Sequence, residues 1–208
     1  SINSILGSNA SPAKVDRTKS IKLRASPVPN YRAHYVAAAI FYPASIPFDL
    51  RDALSKQNIP STGIYRGRVI YEEQIVSIEF IPYHEKPIAL LRLVNTGEFD
   101  YGFKWADRSY FEHTLTENEE VDEVIFELDG KIQDCTIANL AFLKNGIWYT
   151  PKNPLHWGTT RARLIDENKI QETDILVDEL SSYSHICLIN VFRELSLAKS
   201  LSVSAAIL

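Results

Sequence analysis

Asp134-Cys135-Thr136-Ile137-Ala138-Asn139-Leu140-Ala141-Phe142, with Tyr149-Thr150-Pro151 and Gly158-Thr159-Thr160-Arg161 behind it, is the run on which the fold turns. Strand-like residues 140–144 and 147–149 are joined by Asn145-Gly146, a dipeptide that accepts positive φ at both central positions of a tight turn. A helix is expected over residues 160–167. Gly158 permits close approach of the backbone, and Thr159 and Thr160 stand where loop becomes helix, so amides and hydroxyls can converge on an anion at the positive helix end. The same threonines also suit a plain helix N-cap with nothing bound.

Upstream, residues 123–128 read as a strand, Asp129-Gly130 as a tight turn into another, and residues 109–118 as a helix. Before that helix lies Tyr101-Gly102-Phe103-Lys104-Trp105-Ala106-Asp107-Arg108, which sets one lysine among aromatic and small residues. Burial there would disfavour the ammonium and free the amine for imine formation with an aldehyde. A lysine snorkelling to the surface is the other reading of that segment. Trp105 and Trp148 are expected in the core, because large aromatics dominate core burial.

Further toward the N-terminus, residues 63–71 and 75–82 form a hairpin-like pair of β-branched and aromatic runs, and residues 88–94 a third strand. An alanine-rich helix is expected over 35–41, a second over 48–56 started by Pro47 or Asp49, and a strand over 20–23. Residues 184–191 suggest a late strand. The chain is therefore expected to be α/β (α+β), with a small lobe over residues 1–95 and a larger one over 96–208.

Composition excludes several classes. In 208 residues, 45% are apolar and the net charge is −4 with both signs interspersed, which argues against disorder and against a nucleic-acid-binding stripe. No apolar run approaches the roughly 20 residues of a membrane span, and the first residues lack signal-peptide order, so a cytoplasmic protein without a membrane partner is expected. Cys135 and Cys187 form no CxxC and have no nearby histidine pair, which points away from a disulfide framework or metal site. The lack of methionine and the start at Ser1 suggest a processed or edited form.

The three segments, in this order, resemble the class IV aminotransferase family, which includes branched-chain and D-amino-acid aminotransferases and aminodeoxychorismate lyases. The resemblance covers roughly residues 63–192. It rests on Lys104 with Arg108 four residues on, on Asp134 with Thr136 and Asn139 behind it, and on Thr150-Pro151 before Gly158-Thr159-Thr160-Arg161. It implies a two-lobed D-amino-acid-aminotransferase-like fold and pyridoxal 5'-phosphate (PLP) as cofactor, held by Lys104 as a Schiff base. Asp134 would pair with the pyridine nitrogen, and Lys104 would move the proton at the substrate Cα. Most of the family has Glu where this chain has Asp134; short bacterial lyase-like members share the Asp.

Gly158, Thr159, Thr160 and Asn190 resemble the phosphate cup, while Asn139 either contacts the cofactor or braces its own loop. Arg66 and Arg68 lie two apart on one strand face, where an arginine of the family meets the substrate carboxylate; two solvent-facing arginines are the alternative. Ser20 stands where the family has a substrate-side Thr. Tyr31-Arg32-Ala33-His34 holds the residue types of the family's His-x-x-Arg in another order, with Arg32 as the candidate phosphate ligand. His156-Trp157 before Gly158 places an aromatic either beside the cofactor or in packing.

The activity implied is that of 4-amino-4-deoxychorismate lyase, eliminating pyruvate to give 4-aminobenzoate for folate synthesis. An aminotransferase acting between an amino acid and a 2-oxo acid uses the same lysine and acid. A silent descendant acting by association is the third reading. The resemblance also implies a homodimer and a small amino-acid or aminochorismate-like substrate.

Overall fold

The computed structural model describes residues 19–25, 36–37, 49–71, 74–97, 99, 101 and 107–208. In chain order these form β1 (Lys19–Ala25), β2 (Val36–Ala37), α1 (Leu50–Ser55), β3 (Tyr65–Tyr71), β4 (Ile75–Pro82), β5 (Leu91–Asn95), α2 (Ser109–Thr116) and β6 (Glu123–Leu128). There follow β7 (Lys131–Cys135), β8 (Asn139–Lys144), β9 (Ile147–Pro151), α3 (Thr159–Asp166), β10 (Gln171–Thr173), β11 (His185–Ile189), β12 (Leu201–Ser202) and α4 (Val203–Ala206). The α/β class expected from the sequence is the class observed.

The described strands make a four-stranded sheet β2-β1-β3-β4, a three-stranded sheet β5-β6-β7 and a five-stranded sheet β10-β9-β8-β11-β12. In the first sheet, Gly67, Val69 and Tyr71 of β3 are buried, and Val69 and Tyr71 pack with Leu54 of α1. The period of two then sends Arg66 and Arg68 to the opposite face. Asp49 starts α1 as expected, its Oδ1 accepting the amide of Asp52 at 3.1 Å. The helix expected over 35–41 is corrected at Val36–Ala37, which pair antiparallel with Leu23 and Arg24. Alanine propensity yields there to edge pairing.

The other two sheets share one core, in which Leu91, Ile125 and Ile132 meet Leu140, Phe142 and Ile186. β5 precedes the expected lobe division at residue 95, and its partner is β6, alongside which it runs parallel. Asp129-Gly130 and Asn145-Gly146 make the turns anticipated, with φ of 52° and 73° and of 52° and 80°. Asp107 Oδ1 accepts the amide of Ser109 at 2.8 Å and opens α2, whose Phe111 seats against Phe126 of β6. No described helix is long and apolar enough to cross a membrane.

Candidate active site

A cavity of about 550 Å³ lies among β3, the end of β7, the start of α3 and the turn after β11. Arg66, Arg68, Asp134, Asn139, Gly158, Thr159, Thr160 and Asn190 all line it. Lys104 and Arg32 lie outside the described residues. For Ser20 only the backbone is described, paired with Ile70 in β1 and β3. Tyr101 and Arg108, which bracket Lys104 in sequence, both line the cavity.

Asp134 is 3% exposed. Its Oδ1 accepts Asn139 Nδ2 at 2.7 Å and its Oδ2 the amide of His156 at 2.8 Å. Burial pushes this carboxyl up to about 7, against the lowering effects of those two donors and of the charge on Arg161. The acid is thus held by neutral amides in a place that rewards a cationic partner. Asn139 Nδ2 also donates to the carbonyl of His156 at 2.7 Å, so both its hydrogens are used and its orientation is set by two acceptors. Asn139 thereby links the Asp134 carboxylate to the backbone at His156.

The N-terminus of α3 opens on the same cavity. Gly158 is its N-cap with φ −72°, no side chain caps the helix, and no acid occupies the first turn. Free amides, the positive helix end and the hydroxyls of Thr159 and Thr160 together suit a phosphate. Asp134 for a ring nitrogen and this helix end for a phosphate are the donor set that PLP requires, so the residues present fit that group.

Arg66 and Arg68 are half-buried at the cavity; Arg68 has a loose ion pair with Glu79 at 3.7 Å, and Arg66 lies 5.8 Å from the ring centre of Tyr83. Asn190 lines the cavity with its polar atoms committed elsewhere. Its Nδ2 donates to the carbonyl of Ile137 at 3.1 Å, and its Oδ1 accepts the amides of Phe192 and Arg193 at 2.8 and 3.0 Å. Trp157 is exposed, with Arg161 5.2 Å from its ring centre, and is absent from the cavity lining among the described residues.

Sequence reading missed Glu123. This buried acid at the head of β6 lines the cavity, accepts the amides of Val124 and Thr136 on Oε1 at 2.9 and 3.2 Å, and accepts the Thr136 hydroxyl on Oε2 at 2.9 Å. Burial raises its pKa and those bonds oppose the rise. The carbonyl of Thr136 in turn accepts Arg108 Nη2 at 2.6 Å, which ties Arg108 to the turn after Asp134. An acid opening the apolar run of β6 was the available signal.

Three sheets around a cavity that joins a buried acid to an uncapped helix end define a fold-type IV PLP enzyme. The chain belongs to the amino-transferase class IV family, whose pattern it matches over residues 78–201. It is 32% identical over 132 residues to an uncharacterised protein of Haemophilus influenzae, covering 64% of this chain and 70% of that one. Among solved structures it is similar to a Haemophilus somnus protein provisionally named 4-amino-4-deoxychorismate lyase, with TM-score 0.70, 27% identity and coverage of 86% and 97%. It also shares the fold of the PLP-bound form of a hypothetical Mycobacterium tuberculosis aminotransferase, with TM-score 0.61, 14% identity and coverage of 86% and 78%.

Proposed function

We propose that this chain binds PLP and acts as a lyase of the 4-amino-4-deoxychorismate type, releasing pyruvate and 4-aminobenzoate for folate synthesis. The observation that carries the reading is Asp134, a desolvated acid braced by neutral donors, in one cavity with the open end of α3. Likeness to the Haemophilus somnus protein over nearly all of that chain favours the lyase. When bound, the cofactor supplies a cationic ring that accepts the electron pair left as the substrate Cα loses its proton.

Asp134 keeps the ring nitrogen protonated, since a positive partner lowers the acid's pKa and restores the carboxylate. Thr159, Thr160 and the α3 amides take the phosphate, assisted by Arg32. Lys104 is the covalent tether and then moves the proton at Cα. Arg66 and Arg68 receive the substrate carboxylate, with Ser20 beside them. A cytoplasmic homodimer acting on a small aminochorismate-like substrate, without nucleic-acid or membrane partners, completes the reading.

The test is a visible spectrum of the protein with added PLP, before and after borohydride, beside Lys104→Ala. A band that borohydride removes and the variant lacks is expected. Free cofactor alone in both proteins would sink the enzyme reading and leave the silent descendant. With the band present, aromatic amine release supports the lyase. Amino transfer dependent on an oxo acid, without amine release, would assign the aminotransferase activity of the wider family.

A further inference from the structure

Tyr83, just past β4, and Phe192, in the turn after β11, stack with ring centres 4.0 Å apart and planes 14° from parallel. Both rings are half-buried and both line the cavity. The apolar clusters of the described residues include neither of them, so this pair is not an extension of the core.

The pair is held from both sides. Asn190 Oδ1 fixes the amides of Phe192 and Arg193, and residues 190 and 193 exchange two backbone bonds of 3.0 Å. Arg193 then reaches to the Tyr83 side, pairing with Glu85 at 3.3 Å and donating to the carbonyl of Lys86. The amide of Tyr83 donates to Ile64 at 2.9 Å. Arg66, with its planar fork, lies beside the Tyr83 ring.

From this arrangement we infer that Tyr83 and Phe192 are specificity-determining residues, the pair through which this cavity favours the ring of a cyclic carboxylate over an open-chain acid. The inference rests on the function proposed above and deepens it. Stacked rings present flat π surfaces and positive edges that reward another ring, whereas an open-chain acid leaves them uncovered. Arg66 supplies a bidentate partner for a carboxylate at the ring's margin. Asn190 is then a positioning residue for Phe192.

The test compares 4-aminobenzoate with pyruvate as binding probes, by calorimetry on the PLP-loaded protein and on the protein without cofactor, for wild type, Phe192→Leu and Phe192→Tyr. Leucine keeps apolar bulk and removes the π face; tyrosine keeps both. The expected result is that Phe192→Leu weakens 4-aminobenzoate roughly three- to tenfold, leaves pyruvate within about twofold, and that Phe192→Tyr restores wild-type binding. Equal weakening of both probes would make the pair a structural strut, and no change in either would remove it from recognition; each overturns the inference. The visible band reports separately on Lys104 and PLP. A wild type with the band but no preference for the ring probe loses only this inference, whereas a wild type without the band loses the proposed function.

Discussion

A β-carbon on Gly158 would fall inside the van der Waals envelope of Asn139 Oδ1, so the open end of α3 and the brace of Asp134 are packed directly against one another. The backbone at Gly158, with φ −72°, suits any residue; the glycine is required by space alone. Gly158→Ala should therefore push Asn139 off Asp134 and destabilise the protein by about 1–3 kcal/mol. Asn139→Ala on the same chain removes the clashing atom. Urea melts of the two single variants and the double should show a double-mutant cost well below the sum.

Asp134 makes stability without cofactor depend on pH in a definite sense. Its folded pKa of about 7 lies above the ordinary carboxylate value, so between those two values the folded state holds a proton that the unfolded state has lost. Stability contributed by this group is present at low pH and is lost as pH rises toward 7, on the order of 1 kcal/mol per pH unit. Glu123, also raised by burial, adds a slope of the same sign. Urea melts at pH 5, 6 and 7.5 should show the decline, Asp134→Asn should reduce it to the share of Glu123, and saturating PLP should remove the share of Asp134 by supplying a cation. A wild-type slope unchanged in Asp134→Asn would refute the assignment.

Glu123 and Thr136 are joined by two hydrogen bonds, one to each carboxylate oxygen, and the two residues should be energetically coupled. Thr136→Val removes the hydroxyl from Glu123 Oε2 and leaves a buried acceptor short of a partner, at a cost of about 1–3 kcal/mol. Glu123→Gln alone should cost less, because its Oε1 can still accept both amides and its Nε2 can donate to the Thr136 hydroxyl. A coupling energy near zero in the cycle would show that the pair acts independently.

Arg161 is 2% exposed, and its Nη2 donates to the carbonyl of Pro151 at 2.8 Å and to Glu172 Oε1 at 2.6 Å. It pins α3 to the parallel pair β9 and β10. Arg161→Lys should behave as a disruptive change, costing about 2–4 kcal/mol, because the ammonium is compact and more strongly hydrated and does not fill the buried space of the planar guanidinium. Glu172→Gln, at the more exposed end, should cost less than about 1 kcal/mol. Thermal melts of the two variants would check the order.

Local chemistry is what the sequence displayed well. Asn145-Gly146 and Asp129-Gly130 announce turns by their tolerance of positive φ, and the alternation through Arg66 and Arg68 announces one face of β3. Gly158-Thr159-Thr160 showed where α3 begins, though not that Gly158 makes room for Asn139. Pairings between distant segments were not readable, because a strand as short as β10 is defined by Tyr149 and Pro151 across from it and not by its own three residues. Val36–Ala37 went the same way, taking its conformation from β1. Phe192 and Tyr83 meet only through the fold, and nothing near either residue foretold the stack.

Asp134 is the penultimate residue of a strand of the three-stranded sheet, and Asn139 begins a strand of the five-stranded one. The acid and its brace are neighbours in the chain, yet each belongs to a different structural layer, with only the turn between them as the join. Neither layer holds the site by itself, and a fragment cut anywhere in that turn would inherit half a binding function and therefore none. A small molecule lodged there acts as a clasp across the seam, so its grip measures how well the two layers have come together.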